Sequence, residues 1–172
     1  MKHHTLWMLI NIVILLVSVV VTWFIRPHDS QSEVFGVFFA QVSFILFLIN
    51  ANMYFIFLVI RKSPDRDVKK MFAALSRRVM RGHVPFAIVG TILILIHAGV
   101  MLQTAGVVLG LTHPKIVTGF TALGILAVTL FAGNLRRRRA SGFRRKFHLV
   151  VALTFAAFML LHLLTPITAK FF

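Results

Sequence analysis

Five stretches of the chain are almost wholly apolar, at residues 5–25, 34–60, 84–107, 116–135 and 147–168. A helix rises about 1.5 Å per residue and a bilayer's hydrocarbon core is about 30 Å thick, so roughly 20 residues suffice to cross it. None of the stretches alternates with period 2, and backbone groups in lipid must be satisfied internally, so each predicts a helix and not a barrel strand. The second stretch exceeds the required length and predicts tilt or an extension past the bilayer. Between the second and third, Ser63-Pro64-Asp65 reads as an N-cap, a first-turn proline and an acid near a helix start. Val68, Met71, Phe72, Leu75 and Val79 then recur at helical spacing, with Lys69, Lys70, Arg77 and Arg78 around them. That pattern predicts an amphipathic helix over 64–81, lying on the cytoplasmic leaflet as an anchor or a docking element. The expected fold class is all-α: a polytopic membrane helical bundle of five spans plus this short surface helix, in one transmembrane domain over 1–172.

Composition agrees with the pattern. The chain is 59% hydrophobic and 13% charged, about half the charged fraction of a soluble domain. A soluble globular enzyme and a disordered chain are both excluded. With no cysteine, disulfides, iron–sulfur clusters, thiolate-bound haem, Cys-rich zinc sites and thiol nucleophiles are excluded too. The net charge of +15 would suit nucleic acid, but the charges fall in short bursts between apolar runs, so no nucleic-acid partner is expected and membrane lipid is. Trp7 and Trp23 bracket the first stretch, where an aromatic belt would put them. That stretch is too long for a signal-peptide core and is expected to be retained.

The basic residues orient the bundle. Segment 61–81 holds eight Lys/Arg and segment 136–146 holds seven, whereas the alternate connections hold Arg26 and Lys115, and the tail holds Lys170. By the positive-inside rule the N-terminus and both basic segments lie inside and the C-terminus outside. The expected location is therefore multi-pass in a membrane, of the bacterial cytoplasmic kind.

Histidines carry the chemistry. Four of the eight fall within or at the ends of spans: His83 and His97 with the third, His148 and His162 with the fifth. Each pair is separated by fourteen residues, which falls about 40° short of four full turns and spans about 21 Å. The two spans run in the same direction, and His83 and His148 each follow a basic residue by two positions. His83 is thus expected to face His148 near the cytoplasmic side, and His97 to face His162 near the outer side. Facing imidazoles from neighbouring helices are what a six-coordinate haem iron needs above and below its ring. A lone intramembrane histidine often serves helix packing or proton relay, but four at matched spacing and depth predict two haems of b type, held non-covalently. A zinc site is disfavoured, since the two pairs are too far apart to share a tetrahedral ion.

Further residues fit that reading. Gly119 and Gly133 in the fourth span repeat the fourteen-residue interval and would let a haem approach, although glycine also serves packing in membrane helices. Gly90 and Gly99 carry the same two readings. Arg77, Arg78, Arg81, Arg144 and Arg145 fall where inner haem propionates would emerge, or else simply face headgroups. On the outer side the polar residues are Gln103, Thr104, His113 and Lys115; His113 is a candidate for propionate, quinone or substrate contact, or an ordinary loop histidine. No Walker loop, dinucleotide-binding glycine fingerprint or HExxH is present, so any flavin or nicotinamide domain must belong to a separate protein.

At His83, His97, His148 and His162 the sequence resembles the ferric-reductase-like transmembrane domain, whose superfamily includes metalloreductases, NADPH oxidases and the haem subunit of bacterial methionine-sulfoxide reductase systems. The resemblance covers about half the chain, roughly residues 83–162, and implies those four histidines as ligands. The sequence departs from it in having five spans where six are usual and no fused flavin domain. The cytochrome b of quinol-oxidising complexes has a similar ligand spacing. The expectation is a transmembrane electron conduit, an oxidoreductase or an electron-transfer subunit of one. Its donor would be a cytoplasmic flavoprotein or a membrane quinol, and its acceptor an outer-side group. The alternatives are a quinone-linked di-haem cytochrome and a haem-free small transporter or scaffold subunit.

Overall fold

The computed structural model of the chain describes residues 3–26, 28, 30–139 and 141–165. Among them are six α-helices and a π-helical turn, and no strand: α1 (His3–Val20) running into the π turn Val21–Ile25, α2 (Gln31–Lys62), α3 (Arg66–Gln103), α4 (Ala105–Leu109), α5 (Pro114–Arg138) and α6 (Gly142–Leu164). Five helical segments are long and apolar enough to cross a membrane: α1 with its π turn, α2, α3, α5 and α6. They carry many large apolar side chains on their outer surfaces, including Ile12, Leu16, Phe35, Ile92 and Phe131, as lipid-facing helices do. These are the features of an integral membrane protein. The expected end of the fifth span at Thr168, and Lys2 and Lys170, lie outside the described residues.

Two compact units divide the chain, Met1–His28 with Val37–Leu95, and Asp29–Gly36 with Ile96–Phe172. In the first, polar side chains tie apolar helices together. Trp7 Nε1 donates to Asn52 Oδ1 (2.9 Å), Asn52 Nδ2 donates to Asn11 Oδ1 (2.7 Å), and Gln41 Nε2 donates to Ser18 Oγ (3.1 Å). Ser43 Oγ donates to the Gly90 carbonyl (2.7 Å) and Asn50 Nδ2 to the His83 carbonyl (3.1 Å), so α2 grips α3 at its backbone. Trp7 also packs against Phe55 and Phe72, while Trp23 stacks on His28.

The expected separate surface helix does not form. Residues 66–81 are the first part of α3, which continues unbroken to Gln103. Pro85 lies inside it and removes only one backbone hydrogen bond. The apolar stripe has a protein partner: Phe72 is buried with Met53 and Ile56 of α2, and Val68 and Val79 pack on the same cluster. Only Met71 and Leu75 of the stripe are largely exposed. The cap also differs. Asp65, not Ser63, caps α3, its Oδ1 accepting from the amides of Asp67 (2.9 Å) and Val68 (3.3 Å), while Ser63 Oγ accepts from the Asp65 amide.

In the second unit α5 and α6 pack side by side. Ile116, Ala122, Leu126, Thr129 and Ala132 form the buried face of α5, and Phe155 that of α6. The third span's helix stops at Gln103 and not at residue 107; Thr104 leaves helical geometry, and Gly110, at φ +81°, closes the short α4 with a backbone conformation that favours glycine. His113 then caps α5 by accepting from the Lys115 amide (3.2 Å) with Pro114 at the first helical position, and Ser141 caps α6.

Candidate haem-ligand site

The site is built from four helix segments of the second unit, contributed by α2, α3, α5 and α6. His97, near the end of α3, and His162, near the end of α6, face each other with ring centroids 6.4 Å apart and planes inclined at 72°. Each ring is held through Nδ1. His97 Nδ1 lies 2.9 Å from the Gly36 carbonyl oxygen. A carbonyl can only accept, so this nitrogen carries the proton and Nε2 keeps a lone pair. Gly36 allows the approach: a Cβ there would stand 2.7 Å from Met101 Cε and 3.0 Å from Val100 Cγ1.

His162 is held from α5. Its Nδ1 lies 3.2 Å from Thr118 Oγ1, whose own proton is directed to the carbonyls of Pro114 (2.9 Å) and Lys115 (3.1 Å). The hydroxyl oxygen is thereby left to accept, and His162 too presents Nε2 with a lone pair. One turn earlier on α5, Lys115 is 7% exposed and its ammonium donates to the carbonyls of His162, Leu163 (3.4 Å) and Thr165 (3.2 Å). A lysine at that depth is tolerated because the carbonyl end of α6 carries the negative end of the helix dipole and lacks intrahelical donors.

Gly119, the residue after Thr118, makes room for the ring. A Cβ at this position would meet His162 Cε1 at 3.0 Å; at Gly133 it would meet His148 Cε1 at 3.4 Å. The two glycines of α5 therefore each face one histidine of α6, at the fourteen-residue interval they share.

Such an arrangement suits an iron porphyrin. Two imidazoles bound trans to one metal at about 2.0–2.1 Å per bond have centroids about 6 Å apart, and the observed pair meets that spacing. The Gly36 carbonyl and the Thr118 hydroxyl orient the two rings through Nδ1, as ligating histidines need. Among the described residues no group of three or more His, Asp or Glu could hold a metal ion. Of the residues in this site, His97 and His162 are the two that would hold such a group, through the lone pairs left on Nε2.

The remaining expected residues belong to both units. His83 lies in the first unit and His148 in the second. Arg77 and Arg81 line an open cleft of about 460 Å³ with Ser76 and Met80, and Arg78 and Arg145 are exposed. Arg144 has a structural task, since its Nη1 donates to the Leu135 and Arg139 carbonyls (both 3.2 Å) at the end of α5. Thr118, Gly36 and the buried position of Lys115 were not expected from the sequence. The adjacency of Thr118 to Gly119 was the available signal. The chain matches no protein-family model, no curated protein and no solved structure, so its function rests on these residues.

Proposed function

We propose that the protein is a b-type di-haem membrane cytochrome that moves electrons across the bilayer. The observation that carries this reading is the His97–His162 pair, 6.4 Å apart by ring centroids, with both Nδ1 atoms anchored. In the outer site His97 and His162 would hold the haem through Nε2, with Gly36 and Thr118 fixing their tautomers and Gly119 leaving the His162 ring its place. His83 and His148 would hold the inner haem, a pairing supported by the fourteen-residue spacing and by Gly133 against His148. Bound haem would supply a one-electron couple at each site. Arg77, Arg78, Arg81 and Arg145 offer guanidinium groups to inner propionates. Sixteen of the nineteen Lys/Arg, counting Lys2, fall on the side that the positive-inside rule makes cytoplasmic. That surface suits an acidic flavoprotein donor, with membrane quinol as the other donor class and an acceptor on the opposite side.

The test is transport of electrons across sealed vesicles, with reductant on one side and a membrane-impermeant ferric complex on the other. Reduction of the complex faster than in protein-free vesicles is expected. A haem-loaded protein giving only the background rate overturns the conduit. Redox titration with and without quinol analogues separates a quinone-linked cytochrome from a soluble-donor one.

A further inference from the structure

The two α5 glycines face their histidines in the same way, yet their neighbours differ. Thr118 precedes Gly119, whereas Ala132 precedes Gly133. Thr118 Oγ1 reaches His162 Nδ1, while Ala132, fully buried, has only a methyl group to offer. We propose that Thr118 is a positioning residue that sets the tautomer of His162, and through it the redox poise of the outer haem alone. This inference rests on the cytochrome reading above.

The physical chain is short. The Thr118 hydroxyl donates to the carbonyls of Pro114 and Lys115, so Oγ1 accepts from the imidazole. An imidazole that donates from Nδ1 is more basic at Nε2. A more basic axial nitrogen favours ferric over ferrous iron and lowers the midpoint potential. Lys115 holds the main chain of the same residue, through the His162 carbonyl. The first turn of α5 therefore fixes His162 at both its backbone and its ring. Thr118→Val keeps the shape and removes the acceptor. Outer-shell partners of metal-bound histidines are typically worth 10–100-fold, and a tenfold change in relative ferric-to-ferrous binding is about 59 mV for one electron.

The experiment compares wild type, Thr118→Val and Thr118→Ser as full-length protein produced with haem supplied. It reads the haem-to-protein ratio and the two midpoints by spectroelectrochemical titration. Thr121→Val is the control, because Thr121 Oγ1 bonds only within its own helix, to the Val117 carbonyl. In Thr118→Val one midpoint should rise by about 59 mV or that haem should be lost. The other haem should not move, and Thr118→Ser should return the value toward wild type. Thr118→Ala replaces the valine variant if the latter fails to fold. Two haems with unmoved midpoints, or a serine variant that behaves like valine, overturn this inference and leave the cytochrome reading standing. A folded wild type without haem overturns both.

Discussion

His97 and His162 meet with their ring planes 72° apart, nearer to perpendicular than to parallel. The angle follows from their anchors: one ring is turned toward the Gly36 carbonyl of α2 and the other toward the Thr118 hydroxyl of α5. Crossed imidazole planes on one low-spin ferric iron give a strongly anisotropic signal. Electron paramagnetic resonance of the oxidised protein should show such a component, and His97→Ala or His162→Ala should abolish it. A di-haem protein with only the rhombic signal of parallel imidazoles would contradict the crossed geometry.

Pyridine haemochrome analysis should find two non-covalent b haems per chain, because the sequence has no cysteine for thioether linkage. His83→Ala and His148→Ala should each leave one, as should His97→Ala and His162→Ala. One haem in the wild type, lost on replacing His97 and retained on replacing His83, would confine the function to the outer pair.

Glycine substitutions should rank by the space they have. Gly119→Ala puts a methyl group 3.0 Å from His162 Cε1, closer than ordinary contact, whereas Gly133→Ala meets His148 Cε1 at 3.4 Å. Haem retention and midpoint should change clearly in the first variant and little in the second. The reverse order would show that the glycines do not act through the histidine rings.

Lys115→Met should destabilise the protein by about 1–3 kcal/mol, the cost of leaving buried polar groups without a partner. The carbonyls of His162, Leu163 and Thr165 lose a shared donor in that variant. Thermal or denaturant unfolding in detergent measures the effect. A neutral result would mean that water reaches the end of α6.

Trp7→Phe should cost about 0.6 kcal/mol, the average for side-chain hydrogen bonds between membrane helices, and at most about 1.7 kcal/mol. It deletes the donor to Asn52 while keeping most of the ring packing on Phe72. A double-mutant cycle with Asn52→Leu isolates the bond, and a coupling energy of zero would remove it from the account.

The local pattern of residues determined the helical class, the five apolar segments and the four histidines at matched intervals, because hydropathy and helical periodicity are properties of neighbouring positions. It equally indicated a helix within 64–81. Tertiary structure decided what that helix belongs to. Phe72 finds Met53 and Ile56 on α2, so part of the apolar stripe is covered by protein, and the helix runs on through Gly82 and Pro85. Arg144, expected near a propionate, donates to carbonyls at the end of α5; Lys115, expected among the outer polar groups, is buried with its ammonium on the carbonyl end of α6. Gly36 has no distinguishing local pattern, and Thr118 has only its adjacency to Gly119. Their importance comes from the rotation and register of α2 and α5 against the helices bearing His162 and His97. A hydrogen bond between helices depends on those rigid-body variables to within a fraction of an ångström, and no periodicity along one chain segment encodes them.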